Sequence, residues 1–205
     1  MLEIIHSAGW PIWLLLLTSI FGLALIIERL FSLRARQILP PNLLSQVSDM
    51  VRQHQDTPEA LSLLATSSPL GRVLAEVVAA SNEPQHLRQA AIEDVGTDVS
   101  HRLGRYLPAL GTIAVIAPLL GLFGTVVGMI EIFAAYSPAG GDPAQLARGI
   151  SIALYNTGFG ILIAIPALIF HRYFRSRVDD FLHQMERQAS ALNRYLSKER
   201  PHEPR

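Results

Sequence analysis

Three runs of this chain contain no Asp, Glu, Lys or Arg: Ile4 to Ile27, Tyr106 to Ile130 and Gly149 to Phe170. A helix rises about 1.5 Å per residue, so each run is long enough to cross a hydrocarbon layer about 30 Å thick. Inside that layer a spanning segment must satisfy its own backbone polar groups, which a helix does and an irregular segment does not. The expected fold is an all-α integral membrane protein with three transmembrane helices and long cytoplasmic helical extensions. Composition agrees, since 17% of the 205 residues are charged against about 25% in ordinary soluble domains. The complete lack of cysteine excludes disulfides, thiolate metal sites and thiol nucleophiles together.

The first run is preceded by Glu3 rather than by Lys or Arg, and no small-residue cleavage site follows it. Its basic residues, Arg29, Arg34 and Arg36, come afterwards. It therefore reads as an uncleaved helix rather than a secretory signal. Arg102 and Arg105 precede the second run and Arg172, Arg175 and Arg177 follow the third, whereas the connection between them holds Arg148 alone. Cytoplasmic flanks collect Lys and Arg. The expected organisation is an outer amino end and first transmembrane helix over 1–30, a cytoplasmic helical segment over 31–105, and a second transmembrane helix over 106–131. A periplasmic loop over 132–148, a third transmembrane helix over 149–170, and a cytoplasmic helix and tail over 171–205 complete it. Trp10 and Trp13 fall at the outer end of the first helix, where amphipathic rings favour the interface.

Between the first two spans, Thr57-Pro58-Glu59 and Ser68-Pro69 each set a capping side chain before a proline suited to a first helical turn. "SNEP", residues 81–84, is expected to restart the chain the same way. From there Ile92, Val95, Val99 and Leu103 recur at helical spacing with no breaker before Pro108 and Pro118, so the second membrane helix is expected to extend well below the bilayer. The third is expected to continue through a stripe of Phe174, Val178, Phe181, Met185, Ala189 and Leu192. Asp179, Asp180 and Glu186 balance the arginines of that stretch, so it reads as a packed helix and not as a nucleic-acid helix. "RPHEPR" at the carboxyl end is expected to be disordered.

The second span gives up side chains at Gly121, Gly124 and Gly128, with Thr125 beside them, on one helical face. In the third, Gly149, Ala153, Asn156, Thr157, Gly160, Ala164 and Ala167 share a face. Lipid tails are as apolar as leucine, so membrane helices associate through small residues that let backbones approach. Two readings stand. The stripes pack against one another, each threonine hydroxyl returning to a carbonyl one turn earlier. Alternatively, stripes from several copies surround a lumen in which Thr125, Asn156 and Thr157 are the few polar groups. In the second reading Glu131 stands at the outer mouth; in the first it is an interfacial carboxylate facing water.

"APLLGLFGTVVGMIEIF" followed by "GDPAQLARGISIALYNTGFGILIAIPALIFHRYF" resembles the paired membrane-helix signature of the ExbB/TolQ/MotA proton-channel family, in its three-helix ExbB/TolQ branch. "ALIIERLFSLR" matches the way that branch leaves the membrane. The resemblance implies a subunit of a bacterial inner-membrane complex, a homo-oligomer and in particular a pentamer, with second and third helices lining a pore. It implies a single-span ExbD/TolR-like partner whose membrane aspartate carries the proton, and a TonB/TolA-like protein as a further partner. Thr125 and Thr157 match the family's pore-facing threonines. One position departs: the family's glutamate five residues before the third-helix threonine is Ile152 here, which leaves the partner's acid as the intramembrane carrier.

The function expected is that of a proton-channel subunit coupling proton motive force to outer-membrane transport or envelope work. The alternative is a non-conducting scaffold that assembles partner proteins. An enzyme is disfavoured, because the seven histidines show no metal-ligand pair at i, i+4 and no Ser/His/Asp grouping or phosphate loop is present. No catalytic residue, metal site or cofactor is therefore expected. "PAGGDP" reads as a turn, and His171 as an interfacial residue rather than a ligand.

Overall fold

The computed structural model describes residues 10–135 and 143–199. Most of the "PAGGDP" turn and all of "RPHEPR" lie outside the described residues, as do the first nine residues. Regular structure among the described residues is entirely helical: α1 (Pro11–Ser32), α2 (Ala35–Ile38), α3 (Leu43–Arg52), α4 (Pro58–Ser67), α5 (Pro69–Ala79), a single 3-10 turn (Ala80–Asn82), α6 (Gln85–Gly104), α7 (Leu107–Ala135) and α8 (Pro143–Glu199). Three stretches, in α1, in the α6–α7 segment and in α8, are long and apolar enough to cross a membrane. The chain is an all-α membrane protein.

Its residues group into two compact units. The first takes residues up to 29 and 106–173. Here α1 runs antiparallel to α7. Trp10 meets Phe123 edge to face at 5.8 Å, a Cβ on Gly22 would lie 3.5 Å from Ile113, and the Arg29 guanidinium sits 5.0 Å over the Tyr106 ring. Packing on α7 uses Leu110, Ile113 and Ala117, all nearly inaccessible, while Leu17, Ile20, Leu119, Ile130 and Leu162 point outward and are more than half exposed. In water such an apolar exterior would be an aggregation hazard. Around a membrane span it is a surface that meets lipid or a neighbouring span.

The second unit takes residues 30–105 and those from 174 on. Its hub is α5, which touches α2, α3, α4 and α6 and buries Leu70, Val73, Leu74, Ala75, Val77 and Val78. A helix apolar nearly all round must sit inside a bundle. Both expected caps form: Thr57 Oγ1 accepts from the Ala60 N–H at 3.3 Å and Ser68 Oγ from the Gly71 N–H at 3.0 Å. Gly71 is required, since a Cβ there would collide with the Leu64 carbonyl oxygen. Along α8 in this unit Phe174, Val178, Phe181, Met185, Ala189, Leu192 and Leu196 are each no more than 5% exposed.

Two expectations need correction. The second membrane helix does not run on from the preceding one: α6 ends at Gly104 and α7 begins at Leu107, with Tyr106 at φ 71 between them. Pro108 contributes, because it lacks the N–H that would bond back to the Gly104 carbonyl and suits the first turn of a new helix. Pro118, by contrast, lies inside α7. The "SNEP" restart also forms without a side-chain cap, α6 opening on Pro84 after Ser81 and Asn82 have been drawn into the 3-10 turn.

Candidate functional site

In the first unit the small-residue faces of α7 and α8 meet each other. Built Cβ atoms measure how closely. One on Gly121 would stand 2.6 Å from the Asn156 carbonyl oxygen and 2.9 Å from Thr157 Cα; one on Gly160 would stand 2.5 Å from the Ala117 oxygen and 3.1 Å from Gly121 Cα. Gly128 faces Ala153 at 3.2 Å, and Gly149 faces Ile132 at 2.7 Å. Ala153, opposite Gly128, is buried, as are Ala164 and Ala167 further along α8. Because lipid offers no hydrophobic gain for joining two helices, contact at backbone distance is what holds them. These residues therefore make an intramolecular helix pair.

That seam also takes in Asn156. It is 1% exposed, and a Cβ on Gly124 would lie within 2.9 Å of its Cγ and Nδ2. Expected among the pore groups, it packs within this chain where Gly124 makes room for it. Adjacent helical positions point about 100° apart, so residues 156 and 157 cannot share one direction.

Thr125 and Thr157 lie at the edge of the seam, each partly exposed. The Thr125 hydroxyl donates to the Leu122 carbonyl at 2.6 Å, which leaves its oxygen as an acceptor. It lies on an open apolar surface of α7 beside Val126, Met129, Ile130 and Phe133. Thr157 is level with Gly121, so the two threonines differ in height by about four residues, or about 6 Å along the axis. Glu131 is exposed on the same helix. Between Tyr106 and Ile130 and between Gly149 and Phe170 there is no Asp, Glu, Lys, Arg or His. A hydroxyl in an apolar wall can orient and solvate an acid; it cannot replace one.

At the other end of the helix pair, His171 Nδ1 is 2.9 Å from the Leu107 carbonyl oxygen, and Gly111 admits the imidazole, since a Cβ there would come 3.0 Å from the ring. This contact was not read from the sequence. The available signal was a glycine near the start of one charge-free run and a histidine just after the other.

A family model matches residues 45–187, described as the MotA/TolQ/ExbB proton channel family. The chain belongs to the MotA/TolQ/ExbB family. An ExbB homolog of Methanothermobacter thermautotrophicus is 27% identical over 186 residues, covering 90% of this chain and 66% of its own length. The biopolymer transport protein exbB1 of Vibrio cholerae is 28% identical over 196 residues, covering 93% of this chain and 86% of itself. The Tol-Pal system protein TolQ of Haemophilus influenzae is 35% identical over 101 residues, 47% of this chain and 44% of that protein.

Proposed function

We propose that this family member is the channel subunit of a bacterial inner-membrane energy transducer, in which an ExbD/TolR-like single-span partner supplies the proton-carrying aspartate and a TonB/TolA-like protein takes up the work. One observation carries the reading: α7 presents the Thr125 hydroxyl on an open apolar surface, and neither 106–130 nor 149–170 holds an Asp, Glu, Lys, Arg or His. Such a surface can line a pore and cannot by itself relay protons. Homo-oligomeric copies, five by resemblance, would place their threonines around one lumen, with the amino end periplasmic and the carboxyl end cytoplasmic.

Energetics fit repeated small steps. A proton crossing with the field releases about 2.3 kcal/mol per 100 mV. A hydrogen bond to an acid in a dry site is of the same order, about 1.5–3 kcal/mol. Because Thr125 already donates to Leu122, its oxygen suits a protonated acid as donor. An ionised acid would draw the hydroxyl away from that carbonyl.

The second reading, a non-conducting scaffold, draws on the same seam, because the glycines are already occupied within the chain. Proton uptake into vesicles under an imposed potential separates the two. The reconstituted chain alone should pass little, and co-reconstitution with the aspartate-bearing protein should raise the flux. Robust flux through the chain alone would overturn the proposal, and absence of flux in both preparations would leave the scaffold.

A further inference from the structure

The first unit holds a groove that neither the threonines nor the glycine seam uses. It follows α1 past Ile12, Ser19, Gly22 and Ile26, is walled on α8 by Phe159 and Ala167, and encloses about 320 Å3. Every lining side chain is apolar except Ser19. We infer that this groove binds one acyl chain of a membrane phospholipid.

Size decides between occupants. A dry cavity of about 150 Å3 accommodates one benzene, so a groove of about 320 Å3 holds roughly twice that, about twelve carbons. A helix with its side chains is about 10 Å across and does not fit. The groove is also long, since Ile12 to Ile26 spans about 21 Å of helix axis, which suits one extended chain. Wall chemistry agrees. Where this protein packs helix on helix it uses Gly121, Gly160 and Ala153; the groove is lined mainly by branched and aromatic side chains, between which a flexible hydrocarbon can settle.

The surroundings name the source. Beside the groove Leu17 and Ile20 of α1 are 66% exposed and Ile165 of α8 is 54% exposed, and Leu162 on the groove's own α8 wall is 64% exposed. These are lipid-facing positions on helices able to span a membrane, so the medium at the mouth is phospholipid hydrocarbon. No charged side chain lines the groove, so recognition stops at the chain and the headgroup stays at the interface. Left empty, the walls would forgo their dispersion contacts. Occupied, the chain bridges α1 to α8 and stiffens the first unit.

The test uses the full-length protein in vesicles containing phosphatidylethanolamine with a photoreactive diazirine in one acyl chain, followed by detergent extraction and peptide mapping. Labelling should favour Leu16, Leu23 and Ile163 over the exposed Leu17 and Ile20. Native mass spectrometry after extensive washing should find about one phospholipid retained per chain. Ser19→Phe, which occupies the groove, should cut retention by about tenfold or more, and Ile20→Phe on the outer face should leave it unchanged. Even labelling of both faces, retention unaffected by Ser19→Phe, a retained quinone in place of phospholipid, or ready cross-linking of Ser19→Cys to another protein chain would each overturn the inference.

Discussion

Gly160 of α8 and Ala117 of α7 approach so closely that a Cβ on the glycine would stand 2.5 Å from the Ala117 carbonyl oxygen. The obstructing atom is backbone, which cannot swing aside, so the helices themselves must separate to admit a methyl group. Gly160→Ala should lower stability by about 1–3 kcal/mol, and Gly160→Leu should prevent the pair from closing. Gly158, two residues away, has nothing within 4 Å of a built Cβ. Gly158→Ala should be neutral or slightly stabilising. Denaturant titration of both alanine variants in detergent is the measurement, and equal losses at the two positions would show that the seam does not depend on close approach.

Thr125→Val and Thr157→Val keep nearly the same shape and delete the hydroxyl. If the hydroxyls solvate a partner's acid, each loss should cost about 1–3 kcal/mol, or roughly ten- to hundredfold in proton uptake, while the partner still copurifies. Full uptake in both variants, or uptake lost only because the complex falls apart, would reduce the threonines to packing groups.

His54 is exposed, has φ 53 and follows the end of α3, where its N–H bonds to the Val51 carbonyl at 3.0 Å and the Gln55 N–H to that of Met50, also at 3.0 Å. That is the left-handed position of a helix end, which glycine occupies without strain. His54→Gly should raise stability by about 0.5–1 kcal/mol, the relieved strain being partly offset by the freer unfolded chain. A lower melting temperature would contradict this.

The proposed orientation predicts that a single cysteine at Ala139 reacts with an impermeant thiol reagent from outside intact spheroplasts, and that one at Ser67 reacts only after permeabilisation. External labelling at Ser67 would invert the topology.

The face of α8 shows how far a one-dimensional pattern reaches. Its periodicity is continuous in the sequence, yet its composition changes from Ala153, Gly160, Ala164 and Ala167 to Phe174, Phe181, Met185 and Leu192, all of them buried. In lipid there is no gain from burying a leucine, so close approach is favoured; in water burial of large apolar surface is the main driving force. Both solvents are therefore legible in the residues. Asn156 and Thr157 were not separable in that way, because adjacent positions can belong to one broad polar edge until a facing helix chooses between them. The break at Tyr106 was signalled by Pro108, but the run of apolar spacing on both sides of it masked the interruption.

What the sequence by itself determined is local or solvent-driven: three spans, because charge is excluded from hydrocarbon; the Thr57 and Ser68 caps, because a cap lies within three residues of the N–H it satisfies; and the small-residue faces, because helical periodicity is a property of one helix. What only the tertiary structure decided is partnership: Gly121 against Thr157, Gly124 against Asn156, His171 against Leu107, and the groove left between α1 and α8. A stripe states which side of a helix is buried and says nothing of what buries it. That choice depends on the register of two helices, where one Cβ more or less at Gly160 separates contact from collision.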